Sequence, residues 1–360
     1  MNKKILSIFL IICMILSLSA CKNSTEEKKT KEKQASESVS EKEEKPRENV
    51  DPSQAGKDNN KKEVIARLSA LNGPTAMSLV KLMEDAKEEK SANKYSFSEF
   101  TTDPASIIAG LTKNDLDLAA IPSNAAATIY NKTKGGIKVL ATVNTGVLNI
   151  VERGDSVKSL KDLKGKKLYA TGQGTVPEYT LKYLLKKEGL DPEKDLTIQW
   201  AADTTEALSY INKDKKAIAM LPQPFVTAAM TKLKDLRIAL NLNDVWEKEN
   251  EKASIITGVI VARKDFVDAN PEFVEEFLKD YKASIQYTKT NPKEAAKLVV
   301  KYGILPKEPL AQKALPACNL KYLDGKEMKD TVQAYLSILH RENPKSVGGL
   351  LPGDDFYYEK

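Results

Sequence analysis

The chain has 360 residues, a formal charge of +6, a single histidine (His340) and three cysteines (Cys13, Cys21 and Cys318). One histidine excludes a His-based metal cluster and the Ser/His/Asp or Cys/His groupings of nucleophilic catalysis, which need partners this sequence does not supply. No catalytic residue, metal site or cofactor is therefore expected.

Lys3 and Lys4 precede an apolar run from Ile5 to Leu16, followed by the small residues Ser17, Ser19 and Ala20. A membrane span needs about 20 apolar residues; this run is shorter, and charged residues follow directly after Cys21. Residues 1–20 are expected to be a signal peptide. Leu18-Ser19-Ala20-Cys21 resembles the lipobox of bacterial lipoproteins, which implies diacylglycerol on the Cys21 sulfur, cleavage before it, and acylation of the new amino terminus, for instance by palmitate. Two or three acyl chains would anchor the protein to the outer face of the cell membrane. Loss of Lys3 and Lys4 lowers the charge from +6 to +4, too little to point to nucleic acid.

Between Lys22 and Lys62 there is no aromatic, Leu, Ile or Met residue, and acidic and basic residues nearly balance. Such a segment cannot bury enough apolar surface to offset its ordering entropy, so 21–62 reads as a lipidated cysteine and a flexible tether. Only Cys318 is left for the folded part. It can form no intramolecular disulfide and is expected to be a buried, inert thiol.

From residue 63 onward, extended apolar runs alternate with helical stretches. Val64 to Leu71 leads to a helix from Pro74 to about Lys87; Tyr95 to Thr101 leads to Pro104–Thr112; Leu116 to Ile121 leads to a helix from Asn124 to Asn131. This order predicts an α/β body with mostly parallel strands. The nearly all-apolar run from Leu116 to Pro122 suits a strand covered on both faces.

After Lys138 to Val143 the pattern restarts. Val147 to Arg153 is extended, and strands at Lys167–Thr171, Leu196–Ala201 and Ala217–Leu221 alternate with helices at Val176–Lys187, Asp203–Asn212 and Phe225–Leu233. A long extended run, Ile255 to Arg263, precedes helices at Pro271–Thr288, Pro292–Tyr302 and Gly325–Arg341. Two crossing strands thus bracket the second unit. The economical architecture is a first lobe of 63–146 and 259–360 with a second lobe of 147–258 inserted, and a ligand cleft between them.

Open α/β sheets bind ligands beyond the carboxyl ends of their strands, so the loops there carry the functional expectation. Asn72-Gly73-Pro74-Thr75 offers close backbone approach and a helix start, and Gly172-Gln173-Gly174-Thr175 repeats that logic in the second lobe. Free N–H groups at such helix starts can hold an anionic or carbonyl group. Pro122-Ser123-Asn124 supplies a third loop with an N-cap, and Pro222-Gln223-Pro224-Phe225 a fourth with an aromatic. Asn144, Thr145 and Gly146 are placed at the cleft floor, whereas Trp246 reads as packing. Neither Gly-rich loop has the full dinucleotide fingerprint or a Gly-Lys-Ser/Thr ending, which argues against a nucleotide enzyme.

Together the lipobox, Asn72-Gly73-Pro74-Thr75, Leu118-Ala119-Ala120-Ile121-Pro122-Ser123-Asn124, Asp162-Leu163-Lys164-Gly165-Lys166, Thr171 through Tyr179 and Leu221-Pro222-Gln223-Pro224-Phe225 resemble the substrate-binding lipoproteins of ABC importers. The chain is similar to their nitrate/sulfonate/taurine and thiamine-pyrimidine type, with the type II periplasmic-binding-protein fold. The resemblance implies a monomer that captures a small solute between closing lobes and delivers it to a permease driven by a cytoplasmic ATPase. It places ligand contacts at Gly73, Pro74, Thr75, Ser123, Asn124, Thr145, Gln173, Gly174, Thr175, Gln223 and Phe225. No Arg lies in these loops and Glu178 adds negative charge beside one, so a neutral or zwitterionic organic solute, heterocycles included, is favoured over a sulfonate- or nitrate-type anion. A non-transport adhesin or sensor partner reusing the fold is the third reading; an enzyme of the thiamine-pyrimidine synthase type would need histidine chemistry that His340 alone does not supply.

Overall fold

The computed structural model describes residues 63–250 and 253–359. The expected signal peptide, the lipidated Cys21 and the tether lie outside the described residues. Among those described, no helix is long and apolar enough to cross a membrane.

The first group of elements is β1 (Ile65–Ala70), α1 (Pro74–Met77), α2 (Val80–Lys87), β2 (Lys94–Phe97), α3 (Pro104–Thr112), β3 (Leu118–Pro122), α4 (Ser123–Thr133) and β4 (Ile137–Thr145). The second is β5 (Leu148–Arg153), β6 (Lys167–Ala170), α5 (Val176–Lys187), β7 (Thr197–Trp200), α6 (Thr204–Lys213), β8 (Ile218–Pro222), α7 (Phe225–Lys232), β9 (Leu236–Asn241) and α8 (Leu242–Glu249). The chain then continues through β10 (Ile256–Arg263), α9 (Lys264–Ala269), α10 (Pro271–Thr290), α11 (Pro292–Lys301), α12 (Glu308–Ala314) and α13 (Gly325–Glu342).

Two five-stranded sheets result, ordered β2-β1-β3-β10-β4 and β7-β6-β8-β5-β9. In each, four strands share one direction and one runs against them: β10 in the first sheet, β5 in the second. The reversed strands are the ones that follow a crossing. A strand arriving from the other sheet enters at the carboxyl edge and must run back towards the amino edge. The sheets are therefore mixed in pairing, although mostly parallel in strand direction.

Alternation along the central strands explains their apolar sequences. Ala119 and Ile121 of β3 face one core while Leu118 and Ala120 face another. In β8, Ile218 and Met220 face the first of these cores, whereas Ala219 and Leu221 face a third. The first core is continuous across both sheets. It joins residues of β3 and β4 to residues of β6 and β8 through α13, which also packs on α4, β10 and α5. The other two cores each belong to one sheet, so the lobes share an apolar wall along one side.

Buried carboxylates tie the amino ends of the strands. Asp117 accepts from Arg67 Nε at 2.9 Å and Nη2 at 2.7 Å, and from Arg263 Nη2 at 3.0 Å. In the second sheet Glu152 accepts from Arg237 at 2.6 Å.

Several elements differ from expectation. The single helix predicted over 74–87 is two: the Ser78 hydroxyl donates to the Thr75 carbonyl at 2.7 Å and Leu79 N bonds the carbonyl only three residues back, which breaks the regular ladder. Ser123 begins α4 instead of preceding it, with Pro122 as its N-cap. Strand β9 and helix α8 were not predicted. Trp246 on α8 is fully buried, its ring centroid 4.8 Å from Tyr183 and 5.4 Å from Tyr335, and its indole N–H donates to Ala253 O. Cys318 is buried with its sulfur 3.7 Å from Met77 Sδ, and burial pushes its thiol up to about 12.

Candidate ligand cleft

Strand register brings the carboxyl ends together. Thr145, the last residue of β4, pairs with Ile256 at the start of β10, while Gly258 lies opposite both Asn144 and Pro122, the last residue of β3. The first residue of β5, Leu148, pairs with Pro222, the last residue of β8. The short crossing from Thr145 to Leu148 thus joins the carboxyl edges of the two sheets, the edges from which the four predicted loops leave.

Hydrogen bonds hold this crossing on both sides. Gly146 N donates to Asn243 Oδ1 at 3.2 Å and Gly146 O accepts from Asn319 Nδ2 at 2.6 Å. Thr145 N donates to Asn319 O at 3.0 Å, and Thr145 O accepts from Thr257 Oγ1 and Asn144 Nδ2. Thr145 is nearly buried, yet it also borders a cavity of about 460 Å³ formed with Thr288, Lys289, Leu315 and Asn319. That cavity contains none of the other predicted contacts.

In the first lobe, Gly73 precedes α1 and Pro74 is its first residue. The Thr75 hydroxyl donates to Leu71 O, so its polar group is engaged within the loop. Ser123 is fully buried and its hydroxyl donates to Ile256 O at 2.5 Å. Asn124 Nδ2 donates to Ser346 O at 3.1 Å, tying α4 to the C-terminal segment. These two side chains fasten the loop to its neighbours, and their donors are committed there.

In the second lobe, Gln173, Gly174 and Thr175 are exposed. Gly172 sits at φ +82°, and a Cβ there would come within 2.7 Å of the Pro177 ring, so the turn requires glycine. Thr175 Oγ1 donates to Gly172 O at 2.7 Å. Gly174 N donates to Glu178 Oε2 at 2.6 Å, and Tyr179 Oη donates to Gly174 O. The amino end of α5 therefore already faces a carboxylate. Burial alone would raise the Glu178 pKa, but hydrogen bonds from Lys182 and the Gly174 amide outweigh it and hold the carboxyl below its ordinary value.

Gln223 is buried, with Oε1 accepting from Thr227 Oγ1 at 2.8 Å and N donating to Val147 O at 2.9 Å. Phe225 begins α7 and is 42% exposed, a large apolar side chain left open to solvent. Helix α7 in turn approaches α12 of the first sheet's group, on the opposite side from the shared core.

Beyond the predicted set, the crossing depends on Gly258, Asn243, Asn319 and Thr257. Gly258 alone left a legible trace: a glycine within the apolar run Ile255 to Arg263 signals close approach by a neighbour. Among the described residues, no group of three or more His, Cys, Asp or Glu side chains is placed to hold a metal ion.

A family model described as NMT1/THI5 like matches residues 99–295, which include the whole crossing and all of the second sheet. The chain belongs to the NMT1/THI5-like family. Among solved structures, this family member is similar to an ABC transporter protein from Parabacteroides distasonis, at 26% identity over 82% of this chain and 99% of that one, with a TM-score of 0.70. The periplasmic aliphatic sulphonate-binding protein SsuA of Escherichia coli shares the fold at 17% identity, covering 79% of this chain and 95% of that one, with a TM-score of 0.64. So does the ligand-binding component of an ABC-type import system from Staphylococcus aureus, at 15% identity, 82% and 96% coverage and a TM-score of 0.60. Comparison with curated protein sequences finds no match.

Proposed function

We propose that this NMT1/THI5-like protein is the extracytoplasmic solute-binding component of an ABC importer. It captures a small organic solute where the carboxyl edges of its two sheets meet, and passes it to a membrane permease with its ATPase. The carrying observation is that one two-residue crossing joins the carboxyl edges of both sheets, the edges from which β1, β3, β6 and β8 send their polar loops. The two-lobed likeness to importer binding components supports the same reading.

Within this reading, Gly73, Pro74, Thr75, Thr145, Gln173, Gly174, Thr175, Gln223 and Phe225 line the solute, while Ser123 and Asn124 brace it from behind. The solute is neutral or zwitterionic. Glu178 already occupies the Gly174 amide, where a sulfonate or nitrate would otherwise be held, and an exposed Phe225 ring suits a flat organic face. Acylation at Cys21 keeps the receptor beside its permease.

Native purification followed by mass spectrometry identifies the retained molecule, and solution scattering with and without it measures lobe closure. The expected result is a smaller radius of gyration on binding. Absence of closure with any of a broad set of metabolites would favour an adhesin or sensor partner, and tight nitrate or sulfate binding in calorimetry would favour the anion reading. Cys21→Ala should move the protein out of the membrane fraction; retention there would remove the lipid anchor.

A further inference from the structure

We infer that Asn144 selects the solute by requiring a hydrogen-bond donor on it. This deepens the solute-binding reading and rests on it. Asn144 is the penultimate residue of β4, is only 1% exposed, and donates through Nδ2 to Thr145 O at 3.0 Å. Its Oδ1 is buried and has no hydrogen-bond partner. Folded proteins seldom leave a buried carbonyl oxygen unpaired, and the exceptions ask for an explanation.

The surroundings show why no protein group fills this need. A Cβ on Gly258 would stand 2.6 Å from Asn144 Oδ1 and 3.2 Å from Thr75 Cγ2. The carboxamide oxygen therefore lies over the bare Cα of Gly258, beside the methyl of Thr75, at the edge where the predicted loop 72–75 meets the crossing. The nearby donors are committed elsewhere: the Thr75 hydroxyl to Leu71 O, Ser123 to Ile256 O, Thr257 to Thr145 O, and the Gly146 amide to Asn243. A Cβ at position 258 would clash with the oxygen, so this side of it is left to the bare glycine and the Thr75 methyl, and it is from here that the solute's donor would reach it.

An acceptor held in this way discriminates by sign. An amine, ammonium, amide or ring N–H satisfies it, whereas a nitrate or sulfonate oxygen, or an unsubstituted ring nitrogen, meets it lone pair to lone pair. Sites built around a buried polar group reject analogues that leave it unpaired far more strongly than sites that merely fill space. Glu178, in the first turn of α5, is an acceptor with the same preference on the second sheet's side. The ligand class is thus an N–H-bearing neutral or zwitterionic molecule.

Saturation-transfer NMR on the full chain tests this with two probe pairs that differ in N–H donors: 2-aminopyridine against the near-isosteric 2-methylpyridine, and glycine against glycine betaine, a zwitterion without N–H. Wild type should bind the N–H member of at least one pair about tenfold or more tightly than its partner. Asn144→Leu should erase that ratio with little change in the melting temperature of the ligand-free protein, because removal of the unpaired oxygen offsets loss of the Nδ2 bond to Thr145 O, which keeps Thr257 as a partner. Asn144→Asp, the control should the leucine variant fail to fold, keeps the acceptor and should bind the glycine ammonium more tightly. Equal binding within both pairs, an unchanged ratio in Asn144→Leu, no gain in glycine affinity in Asn144→Asp, or a large fall in melting temperature for Asn144→Leu overturns the inference. Failure of all four probes overturns it as well, since the ligand class is then wrong. The solute-binding reading is judged separately, by lobe closure with the wider metabolite set.

Discussion

The Tyr335 hydroxyl on α13 lies 3.2 Å from the Thr180 hydroxyl on α5, and both side chains are fully buried. Helix α13 rests on α4, β4 and β10 as well, so this hydrogen bond fastens elements of the second sheet to those of the first. With Trp246 against Tyr335, it makes the shared core the fixed side of the molecule. Lobe movement, where it occurs, must then separate the opposite side, where α7 approaches α12.

Removing the phenol oxygen tests that fastening. Tyr335→Phe leaves the Thr180 hydroxyl without this partner, and should cost about 1 kcal/mol in urea denaturation. Tyr335→Ala removes the ring as well and should cost about 3–5 kcal/mol. Trp246 fluorescence reports both transitions, because exposure of the indole on unfolding shifts its emission to longer wavelength. An unchanged midpoint for both variants would mean that α13 is not a structural bridge.

The Asp117 cluster predicts an acid limit to stability. Burial alone would raise this carboxyl, but hydrogen bonds from Arg67 and Arg263 outweigh it and hold the pKa below the ordinary value of 3.8. A carboxyl lowered in the folded state contributes stability that is complete above its unfolded value. The contribution is lost as pH falls from there through the folded value. Asp117→Ala should therefore cost about 2 kcal/mol at pH 7, because the largely buried Arg263 guanidinium loses one of its two carboxylate partners and the more exposed Arg67 loses its own. The difference from wild type should shrink below pH 3.8; a pH-independent difference would assign the loss to packing alone.

Glu178 predicts a change in ligand preference. Glu178→Gln keeps an acceptor for the Gly174 amide and removes the negative charge beside the amino end of α5. Charge effects at a helix terminus are about 0.3–1 kcal/mol at exposed positions, so affinity for a small anion such as ethanesulfonate should rise about two- to fivefold in calorimetry. No gain would mean that the carboxylate does not face the solute.

Much of this was legible because it depends on short-range pattern. The alternating burial of Leu118 to Ile121 and of Ile218 to Leu221 appears in sequence as apolar runs with loops at their ends, and Gly172 before Pro177 marks a turn that no other residue fits. The reversal of β10 and β5 is a consequence of the crossing, which the two extended runs at 147–153 and 255–263 foreshadowed. Other features are set by partners distant in sequence. Nothing near Ser123 indicates that its hydroxyl will meet Ile256, and nothing near Asn124 indicates Ser346. Strand β9 was missed because Arg237 and Asn241 interrupt its apolar pattern, while its edge position supplies pairing only with β5. The unpaired oxygen of Asn144 is invisible without Gly258 beside it.

Asp280 on α10 offers the opposite titration from Asp117. Burial raises its carboxyl above the ordinary value of 3.8, and the charges of Glu276 and Asp85 push the same way, against hydrogen bonds from the Ala92 amide and Tyr95. Its Oδ2 is buried without a partner. A carboxyl raised in the folded state costs stability when ionised: the penalty begins as pH rises past the unfolded value, grows until the folded value is passed, and is constant above it. Asp280→Asn keeps an acceptor for the Ala92 amide and Tyr95 while removing the charge. It should stabilise the protein at pH 7 by about 1 kcal/mol, and this advantage should fade as pH is lowered towards 3.8, where the native aspartate is itself protonated. Urea titrations at pH 4, 5.5 and 7 measure the trend. An advantage that grew on acidification would reverse the sign of the argument, and a loss of stability at pH 7 would show that the ionised carboxylate is a needed partner for α10.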